Sequence, residues 1–275
     1  MNGILAIAHL TWLEARRKRI LLAALLCGLA FLLLFAAAVY FMPAGRGPAG
    51  LLRVRIQLQA TALLGLYAVN FLVAAFSVML PVDTMSGEIA SGVMQTLAAK
   101  PIRRVDILLG KWLIYWLMLA AYAVLMSLGV VGEMWLLRGF VQHNLLPALG
   151  LMQLEASVLL SITMAGGVRL STVTNGIVAF GCFALAFIGG WVEQIGVLVG
   201  NPASRYIGTA ISLVVPTDAL WRLAMHLLQP PVMSQMQLGP LSSVSVPSLA
   251  MVWWSLAYVV GMLLVAARAF QRRPL

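Results

Sequence analysis

Residues 86–111 read SGEIASGVMQTLAAKPIRRVDILLGK, a polar, cation-rich island between two long apolar runs. Any one of its charges at a bilayer centre would cost about 2.5–3.5 kcal/mol even on a lenient insertion scale. The island is therefore expected in water or at headgroup level, where it can meet a soluble partner. Its chemistry is recognition. Asp83 and Ser86 offer a helix N-cap, and Glu88 falls in the first turn, where a carboxylate suits the helix dipole. Val93, Met94 and Leu97 form an apolar cluster at i, i+1, i+4, and Pro101 ends the helix near Ala99 or Lys100. Arg103, Arg104 and Asp106 open a second helix that continues through Lys111 into the next apolar run. The shape is a short amphipathic helix held across a membrane surface by two spans.

Glu155 is the other residue of chemical interest. It lies near the middle of an apolar run, flanked by Gln153 and Ser157. An intramembrane carboxylate normally faces a cavity or a partner. It either lines a transport route or subunit interface, or is a protonated or hydrogen-bonded structural carboxyl. Elsewhere catalytic signatures are missing. Gly110-Lys111 is followed by Trp112 and lacks the upstream glycine of a P-loop, and neither H-E-x-x-H nor G-x-S-x-G occurs. His9, His143 and His226 have no partner at ligand spacing, so no metal site is expected. Cys27 and Cys182 lie in apolar runs and read as small packed residues, without a disulfide. The glycine pairs 166–167 and 189–190 point to close helix packing.

The elements that position these residues follow from composition. The chain is 62% hydrophobic and 9% charged, with mean hydropathy +0.99. Soluble domains carry about 25% charged residues, so an all-α polytopic membrane protein is indicated. Six runs can cross a bilayer: 20–41, 62–82, 112–136, 145–168, 173–192 (extendable to 199) and 249–267. They must be helical, because a backbone in lipid satisfies its own hydrogen bonds. The first run spans about 33 Å at 1.5 Å per residue, longer than a secretory h-region, so an uncleaved span is expected despite the Ala36-Ala37-Ala38 tripeptide. The net charge of +10 gathers at the ends of the runs, which fits anionic lipid and orientation and excludes nucleic acid as the partner. With both termini in the cytoplasm, the inside holds Arg16, Arg17, Lys18, Arg19, Lys100, Arg103, Arg104, Lys111, Arg169, Arg268, Arg272 and Arg273. The outside then holds only Arg46, Arg53, Arg55, Arg138, Arg205 and Arg222, and the positive-inside rule favours this orientation.

Two accessory segments are expected. In residues 1–19, Ile4, Leu5, Ala8, Trp12 and Ala15 fall near one helical face, while His9, Glu14 and the 16–19 cluster are polar. This reads as an interfacial helix with Trp12 at headgroup level and a Glu14–Lys18 pair at i,i+4. Residues 193–248 form an external segment between the fifth and sixth spans. Its 207–215 stretch is apolar but too short to span, as in a re-entrant or interfacial piece. A helix then starts at Pro216-Thr217-Asp218, with Thr217 or Asp218 as cap. Leu220, Ala224, Leu227 and Leu228 make its apolar face, Arg222 and His226 the other, and Pro230-Pro231 ends it. Residues 233–247 read as a loop.

The order Glu88-x-x-x-Gly92, Leu97, Pro101-x-x-Arg104, Gly110-Lys111 resembles the first cytoplasmic loop of ABC-2 type transporter permeases. The resemblance covers nearly the whole chain, as one permease domain over 1–275 with the coupling loop at 83–111. It implies an exporter of the cytoplasmic membrane, driven by a separate ATPase subunit in an assembly of two membrane and two ATPase subunits. The second membrane subunit would be a copy or a paralogue. It also implies that Glu88, Gly92, Leu97, Pro101, Arg104 and Lys111 belong to the ATPase-coupling element. Arg103 stands where the pattern usually has a small residue. ATP and Mg would bind the partner, with no cofactor held by this chain. The rival from another class is a stand-alone secondary transporter or channel, which would carry several intramembrane charges and broken helices.

Overall fold

The computed structural model describes residues 3–17, 19–43, 47–90, 92, 103–229 and 245–272. The expected roles of Leu97 and Pro101 fall outside them, as do Lys18, Val93, Met94, Lys100 and the Pro230-Pro231 stop. The described residues form α1 (Gly3–Arg17), α2 (Arg19–Tyr40), α3 (Gly47–Met79), α4 (Thr84–Ala90), α5 (Arg104–Arg138), α6 (Leu145–Gly167), α7 (Thr172–Val199), α8 (Pro202–Val214), α9 (Thr217–Leu228) and α10 (Ala250–Arg272). Among them α2, α3, α5, α6, α7 and α10 are long and apolar enough to cross a membrane. The protein is thus all-α and polytopic, with its spans where the apolar runs place them.

α3 and α5 exceed their hydrophobic cores. They have 33 and 35 residues, about 50 Å of helix against about 30 Å of hydrocarbon. α5 starts at Arg104 and runs unbroken through Lys111, as its sequence implies. α7 continues to Val199 and stops at Gly200, whose φ of 72° is left-handed. Asn201 then caps α8 by accepting from the Ala203 N–H at 3.0 Å, with Pro202 opening the helix.

α6 is buried along most of its length and forms the axis of the bundle, whereas α2 and α10 are peripheral. One contiguous apolar core runs from α1 to α10. Both terminal helices, α4 and the start of α5 share one end of the bundle; α8 and α9 occupy the other. The two termini of α5 brace its neighbours. Arg138 donates to the carbonyls of Val39, Tyr40 and Met42 at the end of α2. Arg104 donates to those of Phe270 and Gln271 near the end of α10 at 3.1 and 3.2 Å. Each guanidinium bonds carbonyls in the last turn of a neighbouring helix and complements the negative end of its dipole.

α1 buries Ile7, Ala8, Thr11 and Ala15, with the Thr11 hydroxyl bonded to the Ile7 carbonyl at 2.9 Å, while Leu5 and Trp12 are exposed. Two expectations are corrected. α8 and α9 form a pair bent by 104°. Pro216 takes the cap position of α9, so Thr217 and Asp218 lie inside the helix and Asp218 is free to pair with Arg222. Cys27 faces outward on α2 rather than packing inside.

Candidate functional site

The 83–111 region is built on the turn that ends α3. The Thr84 N–H bonds the Pro81 carbonyl at 3.0 Å and the Gly87 N–H bonds that of Asp83 at 2.9 Å, folding the chain directly into α4. α4 starts two residues before Ser86, so Glu88 sits beyond the first turn. Gly92 then has φ 76°, a left-handed conformation that a continuing helix excludes. The single helix from Ser86 to Lys100 implied by the sequence is therefore interrupted at Gly92.

α4 is fixed to three spans. Glu88 forms an ion pair with Lys111 of α5, and both are buried, at 8% and 2% exposure. The expectation that the charged island lies in water or at headgroup level does not hold for these two residues, which are buried in the protein. They leave water together, and mutual charge compensation makes that tolerable. Thr84 Oγ1 lies 2.6 Å from the Tyr115 hydroxyl, also on α5. The Met85 side chain abuts Gly167 of α6, where an added Cβ would come within 3.2 Å of it. Ser86 Oγ lies 2.8 Å from Thr172 Oγ1, which donates to Asp83 Oδ1 at 3.0 Å. Asn175 of α7 donates to the Val82 carbonyl at 3.3 Å and the Thr163 carbonyl at 2.9 Å. These bonds anchor α4 to α7 as well as to α5 and α6.

Gly110 has a packing role. A Cβ there would lie 2.7 Å from the Ile4 carbonyl oxygen and 3.0 Å from Ile7 Cβ, so this glycine admits α1 against α5. Arg104 holds α10 through the two carbonyls above and lies over the Phe270 ring at 5.9 Å. The structure thus brings Glu88 and Lys111 together, places Arg104 on α10, and sets Gly92 at the turn beyond α4.

Glu155 is 1% exposed on α6, and its Oε1 accepts from Asn70 Nδ2 of α3 at 3.3 Å. Oε2 has no hydrogen-bond partner among the described residues. A second buried cluster lies at the opposite end of the bundle, under α8 and α9. Arg222 Nη2 donates to Glu193 Oε2 at 2.9 Å, and Arg222 Nε pairs with Asp218 Oδ2 at 2.8 Å. Ser245 Oγ donates to Glu193 Oε1 at 2.6 Å. One guanidinium thus faces two carboxylates. Burial, with Glu193 adding to it, pushes the Asp218 carboxyl up to about 6 although Arg222 pulls the other way. The far end of α9 is pinned by amides: Gln59 and Gln142 donate to the Leu228 carbonyl at 3.0 and 2.7 Å, and Asn144 to that of Leu227 at 3.1 Å.

Sequence reasoning missed this cluster. It ended the fifth span at Val192 or Val199 and set Arg222 on the helix face opposite the apolar one, without linking Arg222 to Glu193. A signal was present in the Gly189-Gly190 pair. Gly190 abuts the Asp218 carboxylate, and Gly189 abuts Ile211 of α8, where a Cβ would approach within 2.5 Å. The pair admits the bent α8–α9 unit against α7.

These sites hold buried ion pairs together with helix-end clamps, and their chemistry is positional. A family model described as ABC-2 family transporter protein matches residues 5–275. No curated protein matches the sequence. The match spans α1 from residue 5, the α4–α5 junction and all six spans, and so the chain belongs to the ABC-2 transporter family, as a multi-pass membrane permease subunit of an ABC transporter.

Proposed function

We propose that this permease is the membrane half of an exporter in the cytoplasmic membrane, driven by ATP hydrolysis in a separate ATPase subunit. Two copies of that subunit would work with this chain and a second permease, a copy or a paralogue. The end carrying α1, α4, the start of α5 and the end of α10 faces the cytoplasm. The ATPase docks on the 83–111 region, where Glu88, Gly92, Leu97, Pro101, Arg104 and Lys111 form or support the coupling element. ATP and Mg stay in the partner; this chain's residues transmit motion and do no covalent chemistry.

The observation that carries the proposal is the fixing of α4. A push on α4 reaches α5 through Glu88–Lys111 and Thr84–Tyr115, and α7 through Thr172 and Asn175. Arg104 passes displacement of α5 to α10. A short helix held by buried polar bonds moves its neighbours with it, because packed interiors have low compressibility. Glu155 and the Glu193–Arg222–Asp218 cluster lie among the helices that would rearrange, and Glu155 serves at the transport route or the subunit seam.

The test is affinity purification of the tagged chain from native membranes followed by ATP hydrolysis assays. Vanadate-sensitive hydrolysis should co-purify, and Arg104→Gln should change its rate without loss of the purified permease. A folded chain that brings no ATPase with it, or hydrolysis indifferent to Arg104→Gln, contradicts the proposal.

A further inference from the structure

A groove of about 590 Å³ lies between α5, α6 and α10. Its walls include Trp112 and Trp116 from α5, Gly150 and Leu154 from α6, and Val252 and Leu256 from α10. All belong to helices that cross the membrane, so the mouth opens sideways to the bilayer. No charged residue lines it. The polar groups along it bond within the protein, except that Gln153 Oε1, itself buried, has no hydrogen-bond partner among the described residues. Trp112 Nε1 donates to Ser161 Oγ and Trp116 Nε1 to Ser157 Oγ, each at 3.0 Å. Gln153 Nε2 donates to the Trp116 carbonyl at 2.9 Å. With that acceptor buried, the surface offered to an occupant is predominantly aliphatic side chains and indole faces. The size falls in the range of about 300–1,000 Å³ common for ligand sites. Gly150 keeps one wall open, since a Cβ there would meet nothing within 4 Å.

We propose that this groove is a binding slot for an acyl chain of a membrane lipid, entered laterally from the bilayer. The chemistry selects the occupant. A hydrocarbon chain needs no donor and no counter-charge. A lipid headgroup or an extended peptide would be desolvated there without partners, at a cost of several kcal/mol per unsatisfied group. The lipid at the mouth is already at bilayer concentration, so modest affinity suffices for occupancy. A bound chain would fill the seam that holds the peripheral α10 against α5 and α6. The slot is a binding property of the permease alone and is independent of the ATPase assignment.

The test uses the full chain in nanodiscs containing a phosphatidylcholine with a diazirine near the end of one acyl chain. After photolysis, adducts are mapped by mass spectrometry. Adducts on residues 112–116, 150–157 and 252–259 should exceed those on the outward α2 residues Leu33 and Leu34 at least about fivefold, as a site preferred over annular contact requires. Gly150→Leu, which grows into open space, should lower groove adducts by a similar factor and leave the α2 adducts unchanged. Val252→Trp, filling the slot from α10, serves the same purpose if the first variant does not express. Labelling equal to that of α2, or groove labelling unchanged by filling, overturns the proposal. Disulfide-linked dimers formed in membranes by Leu256→Cys would also overturn it, by making this face an interface between copies.

Discussion

Removing one member of the Glu88–Lys111 pair should be far worse than removing both. The two side chains are buried, at 10% and 3% side-chain exposure, so each charge has lost most of its water and relies on the other. Lys111→Met leaves the Glu88 carboxylate buried without this counter-charge, a change that typically costs about 3–5 kcal/mol. That is about a 150- to 5,000-fold fall in the ratio of folded to unfolded protein. Glu88→Gln combined with Lys111→Met removes both charges, and exchanges of this kind are neutral or stabilising by about 1–4 kcal/mol. A double-mutant cycle should therefore show a coupling of at least about 2 kcal/mol. The assay is denaturant-induced unfolding of the permease in bicelles, read by tryptophan fluorescence, for the wild type, both single variants and the double variant. Additive losses, with the double variant the least stable, would refute the buried-pair argument and make the contact a solvated one.

Glu155→Gln should keep the bond from Asn70, whereas Glu155→Leu should insert well, because a charge worth about 3 kcal/mol of insertion cost is removed, yet impair transport. Unchanged vesicle transport in the Leu variant would reduce Glu155 to a packing residue. The Asp218 carboxyl, raised to about 6, favours its protonated form when folded. Its contribution to stability is thus full below the ordinary carboxylate range and is lost as pH rises through about 6. The melting temperature of the wild type relative to Asp218→Asn should fall between pH 5 and pH 7.5; a pH-independent difference would contradict this. Gly110→Val should displace α1, because its side chain would meet the Ile4 carbonyl and Ile7. Protease access to residues 3–17 should rise, and unchanged cleavage would count against tight α1–α5 packing.

The spans were legible because apolar runs of about 20 residues have a single stable form in lipid. Glu88 and Lys111 were both singled out, but their pairing was not visible. They lie 23 residues apart in sequence, on α4 and α5, and only the packing of these two helices brings them together. The burial of Thr11 on α1 was not visible in the sequence, because it depends on a local bond from its hydroxyl to the Ile7 carbonyl. Glu193 escaped because an acidic residue at the edge of an apolar run looks like a boundary. Only the folded α8–α9 unit brings Arg222 to it from 29 residues away. The stand-alone transporter rival calls for several intramembrane charges, and the sequence shows one clear central charge, Glu155. The structure buries several more, but they are paired, and the family match decides the class.

The docking end can be tested with a photocrosslinker. Arg103 is exposed at the cap of α5, beside the proposed coupling element, and Ala203 is exposed at the opposite end on α8. Each position is replaced in turn by p-benzoylphenylalanine in the full complex, irradiated in native membranes, and the adducts are identified. An ATPase subunit captured from position 103 and not from position 203 is the expected result. Capture from position 203 with none from position 103 would contradict it, placing the partner at the wrong end of the permease.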